Sequence, residues 1–220
     1  MRKGVAAVVG SVMLAGCSVF GVRSGTEQPA YEVVARLPGA VEVRRYTPRV
    51  AAEAVVAATD PEAGRNTAFG LLFDYISGAN RGAAEIAMTA PVAVDQEPEK
   101  IAMTVPVETR ATGEGEVAMR FFLPASYTLE SAPVPTDPRI ELLAVPARTE
   151  AVLRFSGSRS ADAVQGRIAE LTRTLEGSAW QATGTPVALF YDPPWTLPFF
   201  RRNEVAVPVE PRSAPSDATE

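Results

Sequence analysis

The absence of histidine and the presence of a single cysteine bound the chemistry open to this chain. Without imidazole there is no Ser-His-Asp triad, no His-ligated zinc and no histidine on a haem iron. Cys17 alone cannot form an intrachain disulfide or a multi-cysteine metal site. No nucleophile stands at a recognisable spacing from a base, and no Gly-rich phosphate loop occurs. The chain therefore reads as a binding protein and not as an enzyme. A formal charge of −5 with no basic block argues against nucleic acid, whose phosphates demand clustered Lys and Arg.

Two segments carry unusual side-chain chemistry. Ile86-Ala-Met88-Thr-Ala-Pro-Val92 recurs fifteen residues later as Ile101-Ala-Met103-Thr-Val-Pro-Val107, with six of seven positions identical. A match of this length is not expected by chance in a chain this short. One reading makes these segments neighbouring strands whose Met side chains fill core gaps. The other lets Met88 and Met103 line a soft apolar cavity. The second segment, Tyr191 to Glu204, packs three prolines, four aromatics and two arginines into fourteen residues. So much apolar area in a stiff loop must pack onto the domain or cover a ligand.

The N-terminus reads as an address. Arg2 and Lys3 precede an apolar run, Gly4 to Gly16, which as a helix would span about 20 Å, short of the roughly 30 Å hydrocarbon layer. That pattern favours a signal peptide over residues 1–16. Leu14-Ala15-Gly16-Cys17 resembles the bacterial lipobox, which implies cleavage before a lipidated Cys17, a membrane anchor and export to the cell envelope. The alternative is an ordinary apolar leader with a chance cysteine. Ser18 does not resemble the aspartate signal for inner-membrane retention, so in a Gram-negative host the periplasmic side of the outer membrane is favoured. Residues 17–29 read as a tether, 30–209 as the domain and 210–220 as a disordered tail.

The elements that must position these residues follow from periodicity. Tyr31–Arg36 and Val41–Tyr46 predict two strands joined by a Pro-Gly turn, and Val50–Ala58 a third. Asp60-Pro61-Glu62 predicts a helix start, and Gly78 its end. Phe69, Leu72, Phe73 and Ile76 fall at i, i+3, i+4 and i+7, which predicts one apolar face. Further strands are predicted at 117–123, 140–147, 149–155, 187–191 and 204–209. A second helix is capped by Ser160, with Val164, Ile168, Leu171 and Leu175 on one stripe. Two successive strand-helix-strand halves predict an α+β domain and not a doubly wound sheet.

The exported part of the chain resembles the SOUL family of haem-binding proteins. The matching stretches are AFGLLFDYISGAN (68–80), EIAMTAPV and KIAMTVPV, RFFLP (120–124), RFSG (154–157) and YDPPWTLPFFRRNEV (191–205). The resemblance implies a distorted antiparallel β-barrel flanked by two α-helices with a pseudo-twofold repeat. It also implies a tetrapyrrole bound in an apolar cleft formed by the first helix and the C-terminal loop, with haem b or another porphyrin the leading ligand. The candidate contacts are then Phe69, Leu72, Phe73, Ile76, Met88 and Met103, with Tyr191, Trp195, Phe199 and Phe200 from the loop. Arg201 and Arg202, with Arg65 and Arg81, are candidates for the propionates, as alternatives to ion pairs with Asp192 or Glu204.

With no histidine, the macrocycle is expected to be held by its faces and not by a strong bond to iron. Met88, Met103, Met119, Tyr75, Tyr191 and Lys100 remain as other ligands, none with a spacing argument. About 400 Å² of apolar porphyrin at about 25 cal/mol per Å² gives roughly 10 kcal/mol, which association costs reduce to micromolar-scale affinity. Another hydrophobic small molecule or lipid, or a protein partner for the loop, are the competing readings.

Overall fold

A computed structural model describes residues 26–82, 99–113, 115–193 and 195–212. The leader, Cys17, Met88 with its whole motif copy, Pro194 and residues 213–220 lie outside the described residues. The chain is α+β, as the alternation of patterns predicts, and divides into two compact units. One comprises Thr26–Glu32 and Arg45–Arg148, the other Val33–Arg44 and the chain from Thr149 onward.

In chain order the elements are β1 (Tyr31–Leu37), β2 (Val41–Tyr46), β3 (Arg49–Ala57), α1 (Pro61–Ser77), β4 (Asn80–Arg81), β5 (Val107–Gly113), β6 (Glu116–Phe122), β7 (Val134–Pro135), β8 (Ile140–Val145), β9 (Arg148–Phe155), α2 (Ala161–Glu176), β10 (Trp180–Ala182), β11 (Val187–Phe190) and β12 (Asn203–Pro211). A 3₁₀ turn covers Pro198–Phe200.

The α1 unit sets β5, β6, β3 and β8 side by side, each pair antiparallel. Alternation along β3 puts Val50, Ala52, Ala54 and Val56 on the face that packs with Ala68, Leu72, Tyr75 and Ile76 of α1. Asp60 caps α1 by accepting from the Glu62 and Ala63 amides at 3.0 and 3.3 Å, and Pro61 occupies the first turn where its missing N–H costs nothing. Gly78, at φ 124°, ends it in a backbone region that side chains disfavour. Gly64 is buried where a Cβ would stand 2.7 Å from the Ala58 Cβ and 3.0 Å from a Val117 methyl. Glycine there lets α1 approach the sheet, which offsets its helix penalty.

The other face of this sheet carries charge. Register places Glu108 opposite Arg120, and Arg120 opposite Glu53, so the three form a ladder across β5, β6 and β3. Arg120 bonds both carboxylates, Arg110 completes Glu53 at 2.9 Å, and Arg148 reaches Glu108 at 3.4 Å. The second motif copy departs from the strand expectation. Residues 101–106 form no strand, since Ile101 and Thr104 turn inward while Met103 is 40 % exposed. The Ile101 amide bonds the Ile76 carbonyl at 2.8 Å, and the Thr104 hydroxyl donates to the Phe122 carbonyl. These bonds replace a ladder, so Met103 does not fill a core gap.

The α2 unit sets β2, β9, β12 and β11 in that order, with β10 on β12. Leu171 and Leu175 of α2 pack on Val41, Val43, Ala151, Leu153, Val205 and Val207, and Val164 and Ile168 close the edge. Ser160 caps α2 through the Ala163 amide at 3.4 Å. Strand β12 continues to Pro211, where it pairs with Trp180, so ordered backbone extends two residues past the expected limit of 209. Among the described residues no helix is long and apolar enough to cross a membrane.

Candidate functional site

The outward face of α1 carries two large aromatics. Phe69 and Phe73, one turn apart, stack with centroids 6.0 Å apart and rings 14° from parallel, and are 37 % and 47 % exposed. Phe69 rests edge-on against Phe121 of β6 at 5.4 Å, so the pair is braced from the sheet and does not float on the helix. Arg65, half-buried, lies one turn before Phe69. Leu72 and Ile76, placed with them by spacing, lie on the sheet side of the same stripe and are buried. The apolar stripe is wider than one face: positions 64, 68, 72, 75 and 76 meet the sheet, and 69 and 73 sit about 100° around the helix from 68 and 72.

The α2 unit holds the loop. Trp195, Leu197, Phe199 and Phe200 are exposed, Trp195 and Phe199 by 64 % and 65 %, and the two Phe rings lie 4.5 Å apart. Both ends of the loop are fastened. The Tyr191 amide donates to the Arg202 carbonyl at 3.3 Å, and the Arg202 amide to Asp192 Oδ2 at 2.6 Å. Below them, fully buried Glu204 accepts from Arg44 at 2.9 and 3.2 Å, from Arg202 at 2.8 and 3.0 Å and from the Tyr191 hydroxyl at 2.6 Å. Glu42 takes the remaining side of Arg44. Burial opposes the charge on Arg202, but Glu204 outweighs it and raises the guanidinium above its ordinary pKa. Arg202 also stacks over the Tyr191 ring at 4.0 Å.

Tyr191 is thus part of the loop's foundation, and the Arg202 guanidinium is engaged by Glu204. The Arg201 Nε donates to the Thr196 carbonyl at 2.7 Å. Of the residues considered for iron, Tyr75, Met119 and Tyr191 are buried, and Met103 and Lys100 are exposed. Among the described residues no cluster of three acidic or cysteine side chains could hold a metal ion. The donor set fits a macrocycle held by contact on the Phe69–Phe73 face, and supplies no imidazole for iron. Sequence reasoning offered the Arg202–Glu204 pair as an alternative but missed Arg44 and Tyr191 on the same carboxylate, the Glu108–Arg120–Glu53 ladder and the support from Phe121. Each depends on strand register, which spacing in one strand does not reveal.

The model of the family described as SOUL heme-binding protein matches residues 26–208. The chain belongs to the SOUL heme-binding family. Members are generally binding proteins without enzymatic activity, and membership points to a haem or tetrapyrrole ligand. No curated protein sequence matches this SOUL protein. Among solved structures it is similar to the C-terminal domain of EcmrR, with TM-score 0.56, 12 % identity, and coverage of 83 % of this chain and 99 % of that one. EcmrR in its complex with DNA gives TM-score 0.55 at 13 % identity, over 78 % of this chain and 57 % of that one. A hydrolase from Listeria innocua gives TM-score 0.49 at 13 % identity, over 80 % of this chain and 94 % of that one. At such identities the likeness to EcmrR shows the fold alone.

Proposed function

We propose that this SOUL protein is an envelope-anchored binder of haem or a related tetrapyrrole, acting as a buffer or carrier, and that it holds the macrocycle by contact area without a histidine bond to iron. The observation that carries this reading is the braced, exposed Phe69–Phe73 stack in a chain of the heme-binding family. A flat porphyrin face laid on this pair replaces water on two aromatic rings at once, and Phe121 keeps the rings from rotating away. In this reading Arg65, one turn before Phe69, is the cation for a propionate at the edge of the macrocycle. Bound haem would supply the iron and its redox chemistry; the protein's residues supply an apolar support and exclude water from one face.

Cys17 anchors the chain in this reading, as the Leu14-Ala15-Gly16-Cys17 pattern implies. Its partners are then the tetrapyrrole and a membrane, with no role for nucleic acid in an acidic chain that lacks a basic run. Titration of haemin into the purified full chain tests the ligand. A saturable Soret shift at one equivalent is expected, and a linear, non-saturating change equal to that of haemin in buffer would reject the binder.

A further inference from the structure

We infer that the loop segment Trp195–Phe200 docks on the surface of a lipid bilayer made of neutral phospholipid, with Trp195, Leu197 and Phe199 seated in the interfacial layer. The inference rests on the anchoring half of the proposed function and leaves the Phe69–Phe73 face out of it. Pro193-Pro-Trp-Thr-Leu-Pro-Phe-Phe200 contains no ionisable residue. Its three prolines carry no N–H, so insertion strands few backbone donors away from water. Trp favours the headgroup boundary, where its apolar body and its N–H are both satisfied, and Phe and Leu beside it supply the apolar area that buries into the acyl edge. Four such side chains are exposed on this short loop.

The loop is also built to present them. The Tyr191–Arg202 and Asp192–Arg202 bonds close its base, the Gly157 amide holds the Pro198 carbonyl at 2.9 Å, and Thr196 is completely buried beneath it. Its conformation is set when the domain folds, so docking does not have to order it. The nearby cations are engaged: Arg202 by Glu204, and Arg201 by the Thr196 carbonyl. With the chain at −5, this favours a neutral over an anionic surface.

The occupant follows from the chain outside the described residues. An apolar leader ends at Cys17, and nine residue steps lead from there to Thr26, at most about 32 Å of extended backbone. A chain held at Cys17 or by that leader keeps Thr26 within this distance of the bilayer, so an apolar loop on the same chain meets lipid at high effective concentration.

The test uses the full chain carrying Trp180→Phe, which leaves Trp195 as the only tryptophan, on phosphatidylcholine vesicles with and without bromine on the acyl chains. Trp195 emission is expected to shift to the blue on vesicles and to be lost on the brominated ones, and Leu197→Ser with Phe199→Ser should remove both effects. A parallel difference between the parent chain and Trp195→Phe gives the same readout if Trp180→Phe does not fold. Emission unchanged by either vesicle overturns the proposal. Emission unchanged by vesicles, with haemin affinity lowered by Leu197→Ser and Phe199→Ser, also overturns it and assigns the loop to the ligand. The mass of the vesicle-bound chain reads Cys17 separately. An unmodified Cys17 with quenched Trp195 removes the lipid anchor and upholds the docking loop, whereas an acylated Cys17 with unquenched Trp195 does the reverse.

Discussion

The Tyr191 hydroxyl donates to Glu204 at 2.6 Å, and the same carboxylate receives the guanidinium groups of Arg44 and Arg202. One fully buried acid therefore ties β2, β12 and both ends of the aromatic loop together. Loss of a hydrogen bond to a buried charge costs about 1.5–3 kcal/mol. Tyr191→Phe should lower stability by that amount in urea unfolding, with the slope against urea unchanged.

Arg120 stands between Glu53 and Glu108 and bonds both. Arg120→Ala would leave two carboxylates in a largely water-excluded sheet face with only Arg110 and Arg148 at the margins. Breaking a buried pair from one side costs about 3–5 kcal/mol. Calorimetry should show a correspondingly large fall in Tm, larger than for Arg139→Ala, whose exposed pair with Asp137 contributes little.

Two glycines of α1 make opposite predictions from one substitution. At Gly70 nothing lies within 4 Å of an added Cβ, so Gly70→Ala should stabilise by about 0.5–1 kcal/mol through helix propensity. At Gly64 the same methyl meets Ala58 and Val117, and Gly64→Ala should destabilise by about 1–3 kcal/mol. Denaturant midpoints of the two single variants check the pair.

Burial, the hydrogen bond to Glu99 at 2.6 Å and the charge of that carboxylate push the Tyr127 hydroxyl up to about 12, from an ordinary value of 10.0. A folded value above the unfolded one means the contribution is fully present below pH 10 and is lost as pH rises through 12. Unfolding midpoints measured across that window should fall more steeply for the parent than for Tyr127→Phe. Equal slopes would show that Tyr127 titrates as it does in the unfolded chain.

The helix ends were legible in the sequence because capping is local: Asp60 and Pro61 at the start of α1, Gly78 at its end and Ser160 before α2 all act as their types predict. The α+β class was legible for the same reason, through short runs of period two and longer runs near 3.6. The direction of single side chains was not. Phe69, Leu72, Phe73 and Ile76 satisfy one spacing rule, yet a 17-residue helix on a sheet buries only the part of the stripe the sheet reaches. The charged sheet faces were hidden because Glu53, Glu108 and Arg120 come together only through strand register. The arginines of the loop were read with their ion-pair alternative, and Glu204 takes Arg202 in the structure.

The most direct test of the account is the haemin affinity of the full chain carrying Phe69→Ala and Phe73→Ala, set beside Leu197→Ala as a control on the α2 unit. Two aromatic contacts at about 0.5–1.5 kcal/mol each predict a fall of roughly five- to 150-fold in the double variant, and none in the control. Affinity unchanged in a folded double variant would contradict the claim that the α1 face holds the tetrapyrrole.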